Sequence, residues 1–148
     1  MTKTIERSIL LNASREKVWD VLLQDKFNTQ WYAVFCEGTR AKTDWKEGSP
    51  VLFTDPAGID GMLGRIAINK PKEELDIRYE GFVTGGKEDL TSEEVKPWLG
   101  LHETYKLLEE KNATRLNIKT EVPDKHLASF NEMWDRAVIK IKELSEKA

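Results

Sequence analysis

Glu103 is the residue whose position most strongly indicates chemistry. It lies between Leu101 and Tyr105 in a segment that alternates apolar and polar residues, and it falls in the apolar phase. A carboxylate that points into an interior needs a hydrogen-bonding partner or takes a raised pKa, and such groups often mark functional sites. Tyr79 and Thr120, in the apolar phase of other segments, are its expected neighbours. The alternative is that Glu103 lies near an open end of the fold and reaches water.

Other reactive patterns in the sequence are weaker. His102 falls in the opposite phase to Glu103, which predicts an outer-face histidine and a poor catalytic candidate. The segment 81–88 follows the pattern of a phosphate-binding loop except at its last position, where Glu88 replaces the hydroxyl residue that binds magnesium. One cysteine and two histidines cannot form a four-ligand zinc cluster. We therefore expect no metal and no cofactor.

Composition excludes several classes of protein. The 148 residues suit one domain, and we expect a single domain over 1–148. A net charge of −3 without a basic run argues against nucleic-acid binding. The longest apolar run, 31–36, is far shorter than the ~20 residues that span a bilayer. We expect a cytoplasmic protein that does not bind membranes.

The residues before position 36 predict one strand and two short helices. Residues 4–11 alternate and form the strand, and Ser14 then provides a helix N-cap. This first helix is expected to end near Gln24. The spacing of Phe27, Trp31 and Val34 predicts a second short helix beside it.

The centre of the chain has the period of two that is typical of strands. Short turns separate six predicted strands, at 37–45, 49–54, 61–69, 74–83, 100–109 and 113–122. Short connections favour an antiparallel meander. Residues 84–98 form one long connection, of a length that is often functional or mobile.

The last segment predicts a long amphipathic helix that begins at Pro123-Asp124. Its apolar stripe consists of Leu127, Phe130, Trp134, Val138, Ile141 and Leu144. The apolar face of a curved sheet needs a cover, and this helix is the element long enough to supply it. We therefore predict an α+β fold. A curved antiparallel sheet of about seven strands, with two short helices after the first strand, wraps around the long C-terminal helix.

A succession of motifs along the chain resembles the START-like helix-grip (SRPBCC) superfamily. In order they are Ala13-Ser14-Arg15-Glu16-Lys17-Val18-Trp19, Trp31-Tyr32, Trp45-Lys46-Glu47-Gly48, the segment 53–58, Gly64-Arg65-Ile66, Pro71-Lys72-Glu73-Glu74-Leu75, and a tryptophan-bearing last helix. Within the superfamily the chain is similar to the branch homologous to the activator of the heat-shock-protein-90 ATPase. This resemblance implies the helix-grip fold and a cavity between sheet and helix that often takes an apolar small molecule. It does not imply one activity. Glu103 stands where this branch usually has an apolar residue.

The leading functional hypothesis is non-covalent binding of a small apolar molecule under the last helix. The side chains expected to line this cavity are Trp31, Phe53, Met62, Ile66, Ile77, Tyr79, Glu103, Tyr105, Ile118, Phe130 and Trp134. Glu103 would orient one polar group of the ligand, while Trp31 and Trp98 would stand at the cavity mouth. The alternative for the interior is complete filling by these side chains, because protein interiors normally close-pack.

Two further hypotheses belong to other classes. The first is an interaction module that regulates a chaperone ATPase through an exposed apolar patch, as the resemblance suggests. The second is an enzyme of cyclase or hydrolase type in which Glu103 is the acid or base, with assistance from Tyr79. An enzyme is less favoured than a binding protein.

Overall fold

The computed structural model describes residues 1–147. This part of the chain contains eight strands and three α-helices. The strands are β1 Thr2–Leu11, β2 Arg40–Lys42, β3 Pro50–Thr54, β4 Gly61–Lys70, β5 Glu74–Thr84, β6 Lys87–Asp89, β7 His102–Glu110 and β8 Ala113–Pro123. The helices are α1 Arg15–Leu23, α2 Asp25–Tyr32 and α3 Leu127–Glu146, with 3-10 turns at Lys96–Trp98 and Asp124–His126.

All eight strands belong to one antiparallel sheet. Its order is β1-β8-β7-β5-β4-β3-β2, and β6 pairs with the end of β5. The sheet curves around α3, which packs against β1, β8 and the two short helices. The predicted α+β architecture is confirmed, with eight strands in place of about seven.

The predicted strand at 37–45 was mostly wrong, since only Arg40–Lys42 pairs with β3. Before β2, the amide of Thr39 bonds to the carbonyl of Cys36, and Gly38 has a φ of 84°. After β2, Trp45 has a φ of 63°. These turns take the backbone out of the extended region at both ends, so the ladder stays short.

The long connection predicted at 84–98 contains a strand. Gly85 and Gly86 have φ values of 60° and 80°, as a two-residue hairpin turn requires, and the chain returns as β6. The segment that resembled a phosphate-binding loop is this hairpin. Further on, Pro97 lies in a 3-10 turn that buries Trp98.

The helix starts were predicted with unequal success. Ser14 caps α1 as predicted, because its Oγ accepts a hydrogen bond from the amide of Lys17 at 3.1 Å. The start of the last helix was wrong: Pro123 ends β8, Asp124 lies in a 3-10 turn, and α3 begins at Leu127 without a side-chain cap bond.

A bulge in β5 changes which side chains face the core. Leu63 pairs with Gly81 while Gly64 pairs with Tyr79, so Glu80 is an extra residue in β5. Beyond this bulge Phe82 pairs with Met62, and it packs against the core although simple alternation would turn it outward.

The buried apolar side chains form one cluster between the sheet and the three helices. From α3 it includes Trp134, Ala137, Ile141 and Leu144. In residues 1–147, no helix is both long enough and apolar enough to cross a bilayer.

The terminal strand β1 is tied to α3 by polar contacts. Arg7 donates to the carboxylate of Asp135 at 3.0 Å and to the carbonyl of Asn131 at 3.1 Å. The long helix thus holds one edge strand of the sheet as well as covering the sheet's face.

Candidate functional site

Glu103 lies on the inner face of β7 and is bonded to two tyrosine hydroxyls. Tyr79 on β5 donates to one carboxylate oxygen at 2.8 Å, and Tyr105 on β7 donates to the other at 2.5 Å. Glu103 pairs across the sheet with Ile77 and Thr120. The expected neighbours Tyr79 and Thr120 are therefore confirmed, and the carboxylate is directed toward the space between sheet and helix.

Glu103 is only half-buried, in contrast to the residues on either side of it. Its cross-strand neighbours Ile77 and Thr120 are 2% and 3% exposed. All three have paired backbones in the middle of the sheet, so the greater exposure of Glu103 belongs to its side chain.

Burial and hydrogen bonding act in opposite directions on the pKa of Glu103. Desolvation raises this pKa most strongly, and the hydroxyls of Tyr105 and Tyr79 lower it by stabilising the anion. The negative charge of Asp76 raises it further, and the net pKa lies above the usual value for glutamate.

The carboxylate of Glu103 affects the pKa values of three tyrosines. Burial raises the pKa values of Tyr32, Tyr79 and Tyr105 well above their ordinary range, and the negative charge of Glu103 adds to each increase. All three phenols stay protonated at neutral pH and so can act as hydrogen-bond donors.

Aromatic rings enclose the carboxylate cluster. Trp31, Tyr105 and Trp134 form a triangle in which each pair of ring centroids is 6.3 Å apart. Phe53 lies 6.4 Å from Tyr79. The polar cluster thus lies beside aromatic side chains that come from the sheet, α2 and α3.

The predicted lining residues fall into two groups. The half-buried ones are Phe53, Met62, Glu103 and Phe130. The buried ones are Trp31, Ile66, Ile77, Tyr79, Tyr105, Ile118 and Trp134. The members of the first group keep some exposed surface, whereas those of the second are almost fully buried.

The predicted cavity mouth was wrong. Trp31 is 2% exposed, and its indole N–H donates to the carbonyl of Val21 at 2.9 Å. Trp98 is 7% exposed and packs against Phe130, with ring centroids 5.7 Å apart. Trp31 thus fastens α2 to α1, because a buried Trp N–H takes a hydrogen-bond partner when one is in reach. Trp98 fastens its 3-10 turn to α3 through ring packing.

Sequence reasoning missed four rings near this site. Tyr32 faces inward from α2 and contacts Phe53, with ring centroids 5.8 Å apart. It lies outside the predicted stripe of Phe27, Trp31 and Val34, so that helical spacing did not point to it. The other three are Phe35, Phe82 and His126, which contact Trp134, Trp98 and Trp98 respectively.

The outer face of the sheet carries a separate set of polar groups. His102 bonds through Nδ1 to Asp76 at 2.8 Å, which confirms its predicted outer position. One outer groove of about 630 Å³ is lined by residues that include Leu63, Leu90 and Leu99. Another, of about 610 Å³, is lined mainly by polar residues of β1, β5, β7 and β8. Neither groove is lined by α3, so neither is the predicted cavity.

The raised pKa of Glu103 predicts a pH-dependent effect on stability. In Glu103→Gln the free energy of unfolding should exceed that of the wild type at pH 8, by about 1 kcal/mol. The reason is that the pKa of Glu103 is higher in the folded protein than in the unfolded chain, so folding opposes its ionisation. The wild-type protein therefore has its full stability below the ordinary pKa, near 4.5, and loses part of it as the pH rises through the raised pKa. Urea unfolding at pH 4 and pH 8 measures the difference, which should shrink at the lower pH.

Glu109→Gln is the control for this prediction, because Glu109 lies on the same strand but is exposed. It should alter the free energy of unfolding little at either pH. An equal gain for Glu103→Gln at both pH values would show that ionisation of Glu103 does not oppose folding.

A curved antiparallel sheet around one long C-terminal helix defines a START-like helix-grip protein. A profile of the family described as activator of Hsp90 ATPase homolog 1-like protein matches residues 12–146. The chain belongs to this family. No curated protein matches it by sequence.

Solved structures share the fold at low sequence identity. The Aha1 dimer from Colwellia psychrerythraea is 18% identical with a TM-score of 0.71, over 97% of this chain and 96% of that one. A protein of Chromobacterium violaceum is 18% identical with a TM-score of 0.69, over 98% of both chains. CalU16 from Micromonospora echinospora is 18% identical with a TM-score of 0.63, over 97% of this chain and 74% of that one. At these identities the likeness is one of fold.

Proposed function

We propose that this protein binds a small, largely apolar molecule between the sheet and α3, without covalent chemistry. The observation that carries the proposal is the half-buried carboxylate of Glu103, fixed by two tyrosine hydroxyls inside a shell of aromatic rings. An apolar enclosure with a few fixed polar groups is the usual form of a small-molecule site. The helix-grip family includes ligand-binding proteins, which agrees with this proposal.

The half-buried side chains provide the route by which a ligand would enter. Phe130, in the first turns of α3, contacts Phe35 and Trp98 with ring centroids 6.2 Å and 5.7 Å away. Met62 is an unbranched side chain that adapts readily to new neighbours. Movement of these two side chains would open the space beside Glu103 while the buried triangle of Trp31, Tyr105 and Trp134 keeps its place.

A neutral apolar probe tests this proposal. N-phenyl-1-naphthylamine carries no charge at neutral pH, and its fluorescence rises in an apolar site. We expect saturable binding with one probe per chain, accompanied by a change in tryptophan emission, because Trp31, Trp98 and Trp134 all lie in or beside the aromatic shell. An unlabelled apolar competitor should reverse both signals.

Two variants on α3 locate the probe. Phe130→Asp places a charge on the proposed route and should weaken probe binding at least tenfold, which corresponds to about 1.4 kcal/mol. Ile139→Asp places the same charge on the same helix at a side chain that is 66% exposed, and it should leave binding unchanged. Absence of saturable binding to the wild type, or equal binding by both variants, would contradict the proposal.

The two alternative functions have narrower support. A chaperone partner is supported by membership of the family alone. Acid–base catalysis by Glu103 is supported by its raised pKa and by the adjacent Tyr79, which are equally features of a binding site. The ligand-binding proposal accounts in addition for the aromatic shell.

A further inference from the structure

The charge balance around Glu103 bears on the kind of ligand that the site would accept. Both partners of the carboxylate are neutral phenols, those of Tyr79 and Tyr105. The charged group that affects its pKa is Asp76, which is also negative. Within residues 1–147, no lysine or arginine forms a salt bridge with this carboxylate.

Three arginines on neighbouring elements are engaged elsewhere. On α3, Arg136 bonds to the carbonyl of Val34. On β1, Arg7 bonds to Asp135 and Asn131. On β5, Arg78 bonds to Glu80 on the outer face of the sheet. The interior around Glu103 therefore presents negative charge with no compensating cation from these side chains.

The aromatic rings near Glu103 also favour a positively charged ligand. Aromatic faces carry negative electrostatic potential and attract cations, most strongly where water is excluded. Tyr105 bonds to the carboxylate through its hydroxyl, and the rings of Trp31 and Trp134 each lie 6.3 Å from that of Tyr105. A cation that entered this space would meet one carboxylate and several rings, whereas an anion would be repelled by both.

We infer that the natural ligand is a cationic amphiphile, a small apolar molecule whose polar group is a protonated amine placed against Glu103. This inference rests on the proposed binding function and names its ligand class. The ammonium would donate to a carboxylate oxygen that Tyr79 and Tyr105 already hold in position. The apolar body of the ligand would lie along Phe53, Met62 and Phe130.

Three molecules with one alkyl chain and different polar groups test the inference. Octylamine, octanol and octanoate are titrated separately into the wild-type protein at pH 7.5 by calorimetry, where the amine is cationic and the acid anionic. We expect octylamine to bind at least tenfold more tightly than octanol, and octanoate to bind most weakly. In Glu103→Gln the affinity for octylamine should fall about tenfold and that for octanol should change less than about twofold.

Glu109→Gln makes the same change of net charge at an exposed position near the end of β7, and octylamine affinity should be unchanged in it. Should Glu103→Gln fail to fold by circular dichroism, Tyr105→Phe removes one hydrogen bond to the carboxylate without removing its charge and should keep the preference for the amine. Loss of that preference in Tyr105→Phe would overturn the inference.

The outcomes separate this inference from the proposed function. Octanol or octanoate binding as tightly as octylamine would overturn the amine assignment and leave ligand binding in place. An octylamine affinity that is the same in the wild type and in Glu103→Gln would also overturn it. No binding of any of the three, together with no binding of the neutral probe, would overturn both.

Discussion

Trp134→Ala is expected to destabilise the protein by about 3–5 kcal/mol, the range for removal of a large aromatic side chain from a packed core. Trp134 is 2% exposed and contacts rings from three other parts of the fold: Trp31, Phe35 and Tyr105. Alanine would leave a cavity at the point where α3, α2 and the sheet meet. Urea unfolding followed by circular dichroism measures the loss.

Ile139→Ala provides the comparison on the same helix, because Ile139 is 66% exposed and should cost less than about 0.5 kcal/mol. A similar cost for both variants would mean that Trp134 does not join α3 to the sheet. The aromatic triangle would then not be the support of the ligand site.

Gly61→Ala is expected to cost about 3 kcal/mol, because the clash involves backbone atoms that cannot turn away. A Cβ at Gly61 would lie 1.8 Å from the carbonyl oxygen of Phe53 and 2.9 Å from the Cα of Thr54. The strands β3 and β4 would have to separate, and Phe53 would shift away from Tyr79. Urea unfolding measures the stability, and binding of the neutral probe should weaken in parallel.

Gly58→Ala separates this steric effect from the conformational freedom of glycine. Gly58 has a φ of 76°, and no atom lies within 4 Å of the position that an added Cβ would occupy. Its replacement should therefore cost about 1 kcal/mol through the backbone alone. A larger loss for Gly58→Ala than for Gly61→Ala would contradict the close approach of the two strands.

Most strands and the first helix could be predicted, because the alternation and capping residues in their own sequences agree with their positions in the folded protein. The ladders of β4, β5, β7 and β8 begin and end within about two residues of the alternating segments. The sequence predicted the start of α1 at Ser14, because the capping hydrogen bond joins this side chain to the first turn of its own helix and needs no distant residue. The start of α3 was missed, since Asp124 had the residue type of a cap without its hydrogen bond.

Prediction of the site failed where the chain departs from strict alternation. Glu103 and Tyr79 share the inner phase of unbulged segments, so the sequence predicted their proximity. Phe82 was missed because the bulge at Glu80 reverses the phase beyond it. The hydrogen bond from Tyr105 depends on side-chain torsions that spacing does not determine. The degree of interior filling likewise depends on packing in three dimensions.

The attachment of β1 to α3 has a consequence for the behaviour of the protein at high concentration. An outermost strand exposes unpaired amide and carbonyl groups, which can recruit strands of other molecules and begin aggregation. Here Arg7 is held by Asp135 and Asn131, so the helix that covers the core also anchors this strand. A strand from another molecule would meet an edge bearing charged side chains and clamped to a helix. The Arg7–Asp135 pair therefore places charged side chains beside this edge of the sheet, a feature that disfavours edge-to-edge pairing with another molecule.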